Sequence, residues 1–164
     1  PFYLQSGKAL AQKNSEIIIE FKRPPHLMFD DIEDDDFTAN ILSICIQPDE
    51  GIHLKLEAKV PDSHKTQSVD MEFHYRSSFK ESRLPDAYER LLLDAVRGDA
   101  SLFTRADGIE GAWKLMDPII TGWENDADAP PMVSYMPRSW GPIEAERLLS
   151  RSGRMWRHAC SHPD

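Results

Sequence analysis

Hydrophobic and polar residues follow two different periods along this chain, and the change between them divides it into halves. In the first half the period is two. In "SEIIIEFK", Ile17, Ile19 and Phe21 fall on one face and Glu16, Glu20 and Lys22 on the other. Residues 41–47 group Leu42, Ile44 and Ile46 against Ser43, Cys45 and Gln47. Residues 52–60 set Ile52, Leu54, Leu56, Ala58 and Val60 against His53, Lys55, Glu57 and Lys59. "SVDMEFHYR" repeats the pattern with Val69, Met71, Phe73 and Tyr75 inward. Four alternating runs joined by turns predict an antiparallel sheet with one face packed. The turn Gln47-Pro48-Asp49-Glu50-Gly51 makes the middle two a hairpin, and Pro48 holds Gln47 extended at its strand's end.

The second half is helical. Tyr88, Leu91, Leu92, Ala95 and Val96 follow the spacing of one helix face, and Gly98 supplies a left-handed stop. A second helix is expected from about Thr104, with Thr104 and Asp107 as a capping-box pair and Ile109, Ala112, Trp113, Met116 and Ile120 on its apolar face. Pro118 inside that pattern should kink it or weaken its last turn. "ENDADAPP" reads as a loop, and "GPIEAERLLSRSG" as a third, short helix with Pro142 at its start. The tail after Trp156 is expected to fray. Strands first and helices second predict an α+β fold with helices packed on one face of the sheet.

Composition adds exclusions. The 164 residues could form one compact domain around a single core. A net charge of −9, with no basic stripe carrying interleaved aromatics, argues against a nucleic-acid partner. No apolar run approaches the length of a membrane span, and the N-terminal residues show no secretory or transit pattern. The first residue is Pro1, so the chain reads as excised from something longer. Cys45 lies in a predicted strand and Cys160 in a polar tail, which predicts two reduced thiols and a cytoplasmic protein rather than a structural disulfide.

Candidate chemistry is sparse. The acidic run Asp30–Asp36 lacks the glycine and ligand spacing of a calcium loop and reads as a solvated connection. The six histidines, His26, His53, His64, His74, His158 and His162, form no zinc-ligand spacing with cysteine. His53 and His74 share the polar face of adjacent predicted strands and could be neighbours. No metal site, no glycine-rich phosphate loop and no nucleophile–base set can be assembled, so no catalytic residue is assigned. "SGKALAQK" places Lys8 and Lys13 just before a strand in an otherwise acidic chain, and lysine suits phosphate or sugar hydroxyls. Both also fit as exposed turn lysines, and Gln47 as plain sheet rim.

Four blocks carry a family pattern together: "PFYLQSGKALAQKNSEIIIEF", "NILSICIQPDEGI", "LPDAYERLLLDAVRGDASLFTRADGIEGAW" and "SWGPIEAERLL". In this order, from Pro1 to about Trp156, they resemble the C-terminal part of glucose-6-phosphate dehydrogenases. The resemblance implies a large, mainly antiparallel sheet with helices, used for the sugar-phosphate site and for subunit association as a homodimer. The family oxidises glucose 6-phosphate to the lactone and passes a hydride to NADP, in the pentose phosphate pathway. Its Rossmann domain and its histidine base lie upstream and are absent here, so the isolated chain is expected to be inactive. By position in the motif, Lys8, Lys13 and Gln47 match substrate-binding positions, with no cofactor-binding residue in this chain. Gln5 stands where the family usually has arginine. Cys45 stands where some members use an arginine for a second, structural NADP, which argues against that site, although Lys114, Tyr135 and Trp156 are compatible with it.

Two other readings stay open at this point. One is a stand-alone assembly or ligand-binding module of the same fold. The other, more remote, is a metal-dependent hydrolase built on the acidic run.

Overall fold

β-Branched and aromatic residues at every second position favour extended, paired backbone, and that pairing is what the structure shows. It is a computed structural model that describes residues 1–23, 38–63, 65–79, 87–158 and 160. The acidic run, His26, His64, His162 and the start of the third motif block lie outside the described residues. The elements are β1 (Ser15–Glu20), β2 (Ile41–Gln47), β3 (Gly51–Lys59), β4 (Thr66–His74), α1 (Tyr75–Ser78), α2 (Ala87–Arg97), α3 (Ala106–Asn125) and α4 (Ile143–Ser150). The class is α+β, as the two periods predict. The four strands form one antiparallel meander in the order β1-β2-β3-β4. The chain divides into two compact units: Pro1–Lys80 with Ser134–Asp164, and Glu81–Val133. Among the described residues, no helix is long and apolar enough to cross a membrane.

In the sheet unit, register lines the apolar residues into unbroken cross-strand rows. Ile17, Ile44, Ile52 and Phe73 form one row, and Ile19, Leu42, Leu54 and Met71 the next. The alternation predicts this as the packed face, and here the structure corrects it. Ile17 is 50% and Met71 61% exposed, whereas Ser43 and Cys45 on the opposite face are 2% and 3% exposed. The C-terminal segment decides the matter by covering the polar side of β1 and β2. The Arg157 guanidinium donates to Glu20 Oε2 at 2.8 Å, and the Cys160 N–H donates to Glu16 Oε2 at 3.0 Å. His158 Nδ1 lies 3.5 Å from Glu16 Oε1.

Two further expectations fail with it. Arg157, His158 and Cys160, in the tail after Trp156, do not fray, because they have these partners on β1. Cys45 and Cys160 are not reduced thiols; they form a disulfide across 115 positions of sequence. Separation along the chain hid their proximity, which only the return of the tail creates.

The second unit holds α2 and α3. Gly98, with φ +72°, ends α2 as its position predicts. The Asp99 N–H bonds to the Asp94 carbonyl at 2.9 Å and the Gly98 N–H to the Ala95 carbonyl at 3.2 Å, a complete Schellman pair. The apolar stripe of α2 is open, with Tyr88, Leu92 and Val96 exposed, while Asp94 is buried beside the Arg90 guanidinium, Nε to Oδ2 3.0 Å. At α3 the expected capping box does not form. Arg105 is the N-cap without a side-chain cap bond, and its guanidinium takes both oxygens of Asp107. A bidentate pair with a full cation outcompetes the single backbone N–H that a capping box offers the carboxylate. The helix then continues past Pro118 to Asn125.

Just beyond α2, the Ser101 hydroxyl, and after it the Ser101 backbone N–H, hold the Asp99 carboxyl below its ordinary value, with a smaller pull from Arg90. A carboxylate depressed by folding stabilises the turn above its unfolded value, and that contribution is lost as pH falls through the folded value. Ser101→Ala is expected to raise the Asp99 midpoint toward 3.8 in a carboxyl-carbon NMR titration. An unmoved midpoint would remove Ser101 as the cause.

Candidate functional site

Lys8 sits in a segment without helix or strand, so something outside it must hold its backbone. That support comes from residues 135–141. The Tyr135 hydroxyl donates to the Lys8 carbonyl at 2.7 Å, the Arg138 N–H to the Ala9 carbonyl at 2.7 Å, and the Ala11 N–H to the Ser139 carbonyl at 2.9 Å. Leu10 and Ser139 make a parallel bridge. The Gln5 amide donates to the Trp140 carbonyl at 2.6 Å. A Cβ on Gly7 would stand 2.9 Å from the Tyr135 hydroxyl, so the glycine of the Gly-Lys step is what lets this phenol reach the backbone. The result is a pinned main chain carrying an exposed Lys8 side chain. Among the described residues, no hydrogen bond or ion pair engages the Lys8 or Lys13 ammonium or the Gln47 amide.

Lys13 is exposed two residues before β1, and Gln47 is the last residue of β2, opposite Ser15. The pairing brings Lys13 and Gln47 to the same end of β1 and β2. Between Ser15–Gln47 and Glu16–Cys45 the register shifts, so Ile46 is an extra residue on β2. Such a bulge breaks the alternation between Cys45 and Gln47, which the apolar/polar pattern alone did not reveal. The Gln47–Pro48 peptide is cis.

Behind the hairpin, His53 and His74 are neighbours, as their shared face suggests, with ring centroids 5.0 Å apart. His74 Nδ1 lies 3.0 Å from Asp49 Oδ2 and Nε2 lies 3.7 Å from Glu72 Oε2. The pair fastens the hairpin turn to β4. Among the described residues, no group of three His, Cys, Asp or Glu side chains is placed to hold a metal ion.

Several residues acquire roles that sequence reasoning did not assign. Gln5, Tyr135 and Trp140 build the Lys8 support. Trp140 stacks on His158 with centroids 3.5 Å apart, and Trp156 Nε1 donates to the Ala145 carbonyl at 3.0 Å. The clustering of Tyr135, Trp140 and Trp156 around one short helix was the available signal. Lys114 lies on α3 in the other unit, exposed.

Comparison with known proteins gives this geometry its setting. Residues 1–157 match the family model described as the C-terminal domain of glucose-6-phosphate dehydrogenase. The glucose-6-phosphate 1-dehydrogenase of Mycolicibacterium smegmatis is 45% identical over 157 residues, 95% of this chain and 31% of that protein. That of Treponema pallidum is 42% identical over 163 residues, 98% of this chain and 31% of that protein. A solved glucose-6-phosphate dehydrogenase in complex with its substrate glucose-6-phosphate superimposes with a TM-score of 0.77 at 34% identity, over 93% of this chain and 30% of that one. The enzyme from Mycobacterium avium gives a TM-score of 0.68 at 29% identity, over the same shares. This chain therefore spans about three tenths of the length of the relatives it matches. On these matches the chain belongs to the glucose-6-phosphate dehydrogenase family and corresponds to its C-terminal domain.

Proposed function

We propose that this chain is the substrate-binding and dimerisation part of a cytoplasmic, NADP-dependent glucose-6-phosphate dehydrogenase, which oxidises glucose 6-phosphate to 6-phosphogluconolactone. The observation that carries the reading is the Lys8 support, a clamped backbone beneath an ammonium that, among the described residues, has no partner. A phosphate dianion recruits such a cation at little ordering cost, since the main chain is already fixed. Lys13 adds a second positive charge, and Gln47, at the same end of the strands as Lys13, offers an amide to a sugar hydroxyl.

NADP supplies the hydride acceptor in this reaction. Among the described residues no glycine stands in a turn leading from a strand into a helix, where a dinucleotide's phosphates would be cradled, so the coenzyme's main cradle is assigned to the rest of the enzyme. The chain's own part is to bind and orient the sugar phosphate, which converts an encounter into a positioned reaction. The general base belongs to the rest of the enzyme.

The uncovered apolar face supports a homodimer. Rows of four apolar residues across the sheet favour face-to-face packing against a second copy, as stacked sheets do.

In the full-length enzyme, Lys8→Ala is expected to raise KM for glucose 6-phosphate about 10- to 100-fold, the loss of one charge-assisted contact. KM for the coenzyme should hold, and Lys13→Ala should have a smaller effect in the same direction. Unchanged kinetics in Lys8→Ala would overturn the assignment. For the interface, Met71→Lys is expected to shift the protein from dimer to monomer in light scattering. A wild-type protein that stays monomeric at high concentration sinks the dimer.

A further inference from the structure

The turn that supports Lys8 carries a residue its backbone does not favour. Met136, Pro137, Arg138 and Ser139 form a tight turn, closed by the Ser139 N–H to the Met136 carbonyl at 3.2 Å. The Ser139 hydroxyl donates to the same carbonyl at 2.7 Å. Pro137 stands second and Arg138 third, at φ +66°. Proline second and a positive φ third is the type II arrangement, which asks for glycine or asparagine at the third position. Among the described residues, two other non-glycine residues, Asp62 and Ala9, have positive φ. Aspartate is a type enriched in that region. Ala9 is Arg138's own partner, since the Arg138 N–H donates to the Ala9 carbonyl at 2.7 Å.

We propose, on the Lys8 reading above, that the Arg138 guanidinium is a second cation of the sugar-phosphate site, which shares the 6-phosphate with Lys8 and sharpens the preference for a phosphorylated sugar.

The turn itself has no need of this side chain. Its bonds to Met136, Ala9 and Ala11 use the main chain of residues 136–139 and the Ser139 hydroxyl, so glycine at position 138 would make them with less strain. Nor is the side chain held internally. Arg138 is exposed, and among the described residues no hydrogen bond, ion pair or ring contact engages its guanidinium. A left-handed arginine is retained where its head group meets something outside the chain, and strain of this kind gathers at binding sites.

Placement names that ligand. Ala9 follows Lys8 directly, and Leu10 bridges Ser139, which follows Arg138, so both cations leave one crossing of two chain segments. The Tyr135 hydroxyl on the Lys8 carbonyl fixes the same crossing. In a chain of net charge −9, two cations on fixed backbone here form a local attractor for an anion. Their chemistries are complementary. Lysine offers a compact point charge, and arginine a planar fork that takes two phosphate oxygens at once. Neither segment has to be ordered when the phosphate arrives.

The test is steady-state kinetics and thermal unfolding of the full-length enzyme carrying Arg138→Gly. KM for glucose 6-phosphate should rise about 10-fold, the loss of one charge-assisted contact. The inhibition constant of inorganic phosphate, competing with the sugar phosphate, should rise in proportion. The values of kcat and of KM for the coenzyme should hold. The thermal midpoint should hold or rise, because glycine relieves the turn. Arg138→Lys, which keeps the charge and loses the fork, should recover part of the affinity. If Arg138→Gly fails to fold, Arg138→Asn, which also accepts this backbone, gives the same reading. An unchanged KM, a rise without a matching change for inorganic phosphate, a rise confined to the coenzyme, or a loss accompanied by a lower midpoint would each overturn the assignment. Lys8→Ala measured in parallel separates the two claims. A loss in Lys8→Ala alone removes Arg138 and leaves the site, whereas a loss in neither variant removes the site as well.

Discussion

Glu16 and Cys45 face each other across β1 and β2, and the arrangement of the sheet unit depends on that pairing. A half-buried carboxylate is stable only with donors around it, and here Asn14 and the Cys160 backbone donate while His158 Nδ1 lies 3.5 Å away. A one-residue slip of β1 against β2 would turn Glu16 to the face opposite Cys45. An isoleucine of β1 would replace it beneath the tail, and the polar grip could not form beside the sulfur bridge. The same register builds the apolar rows on the opposite side, so one choice of pairing sets the character of both faces.

The strands and helices were legible because each depends on neighbours close in sequence. Alternation at Ile52, Leu54 and Leu56 is enough to specify extended backbone, and Gly98 after an apolar helical stripe is enough to end α2. Which face of the sheet is covered is a different kind of fact. It depends on a segment more than a hundred residues away, and the alternation around Cys45 carries no trace of it. The cap of α3 failed for a local reason, since the Arg105 guanidinium takes the Asp107 carboxylate that a Thr104 cap would have used.

The site divides in the same way. Lysine beside glycine in an acidic chain is a weak signal by itself, and family resemblance gave Lys8, Lys13 and Gln47 their meaning. The structure adds a physical reason for the Gly-Lys step: a phenol from Tyr135 occupies the space a side chain at position 7 would need. The two departures from the family pattern are both engaged. Gln5 holds the Trp140 carbonyl and Cys45 holds Cys160, so both positions where the resemblance expects arginine serve as internal ties.

The parallel bridge between Leu10 and Ser139 has a consequence for biosynthesis. The Lys8 segment leaves the ribosome well ahead of its partners at Tyr135, Arg138 and Ser139, which are translated more than a hundred residues later. The sheet can pair as a simple meander while synthesis continues, because its contacts are between neighbours. The unit Glu81–Val133 is then made in full before the closing segment arrives. Lys8 is therefore synthesised long before it can be set in place, which leaves the forming chain with its lysine segment untethered until Ser139 is available.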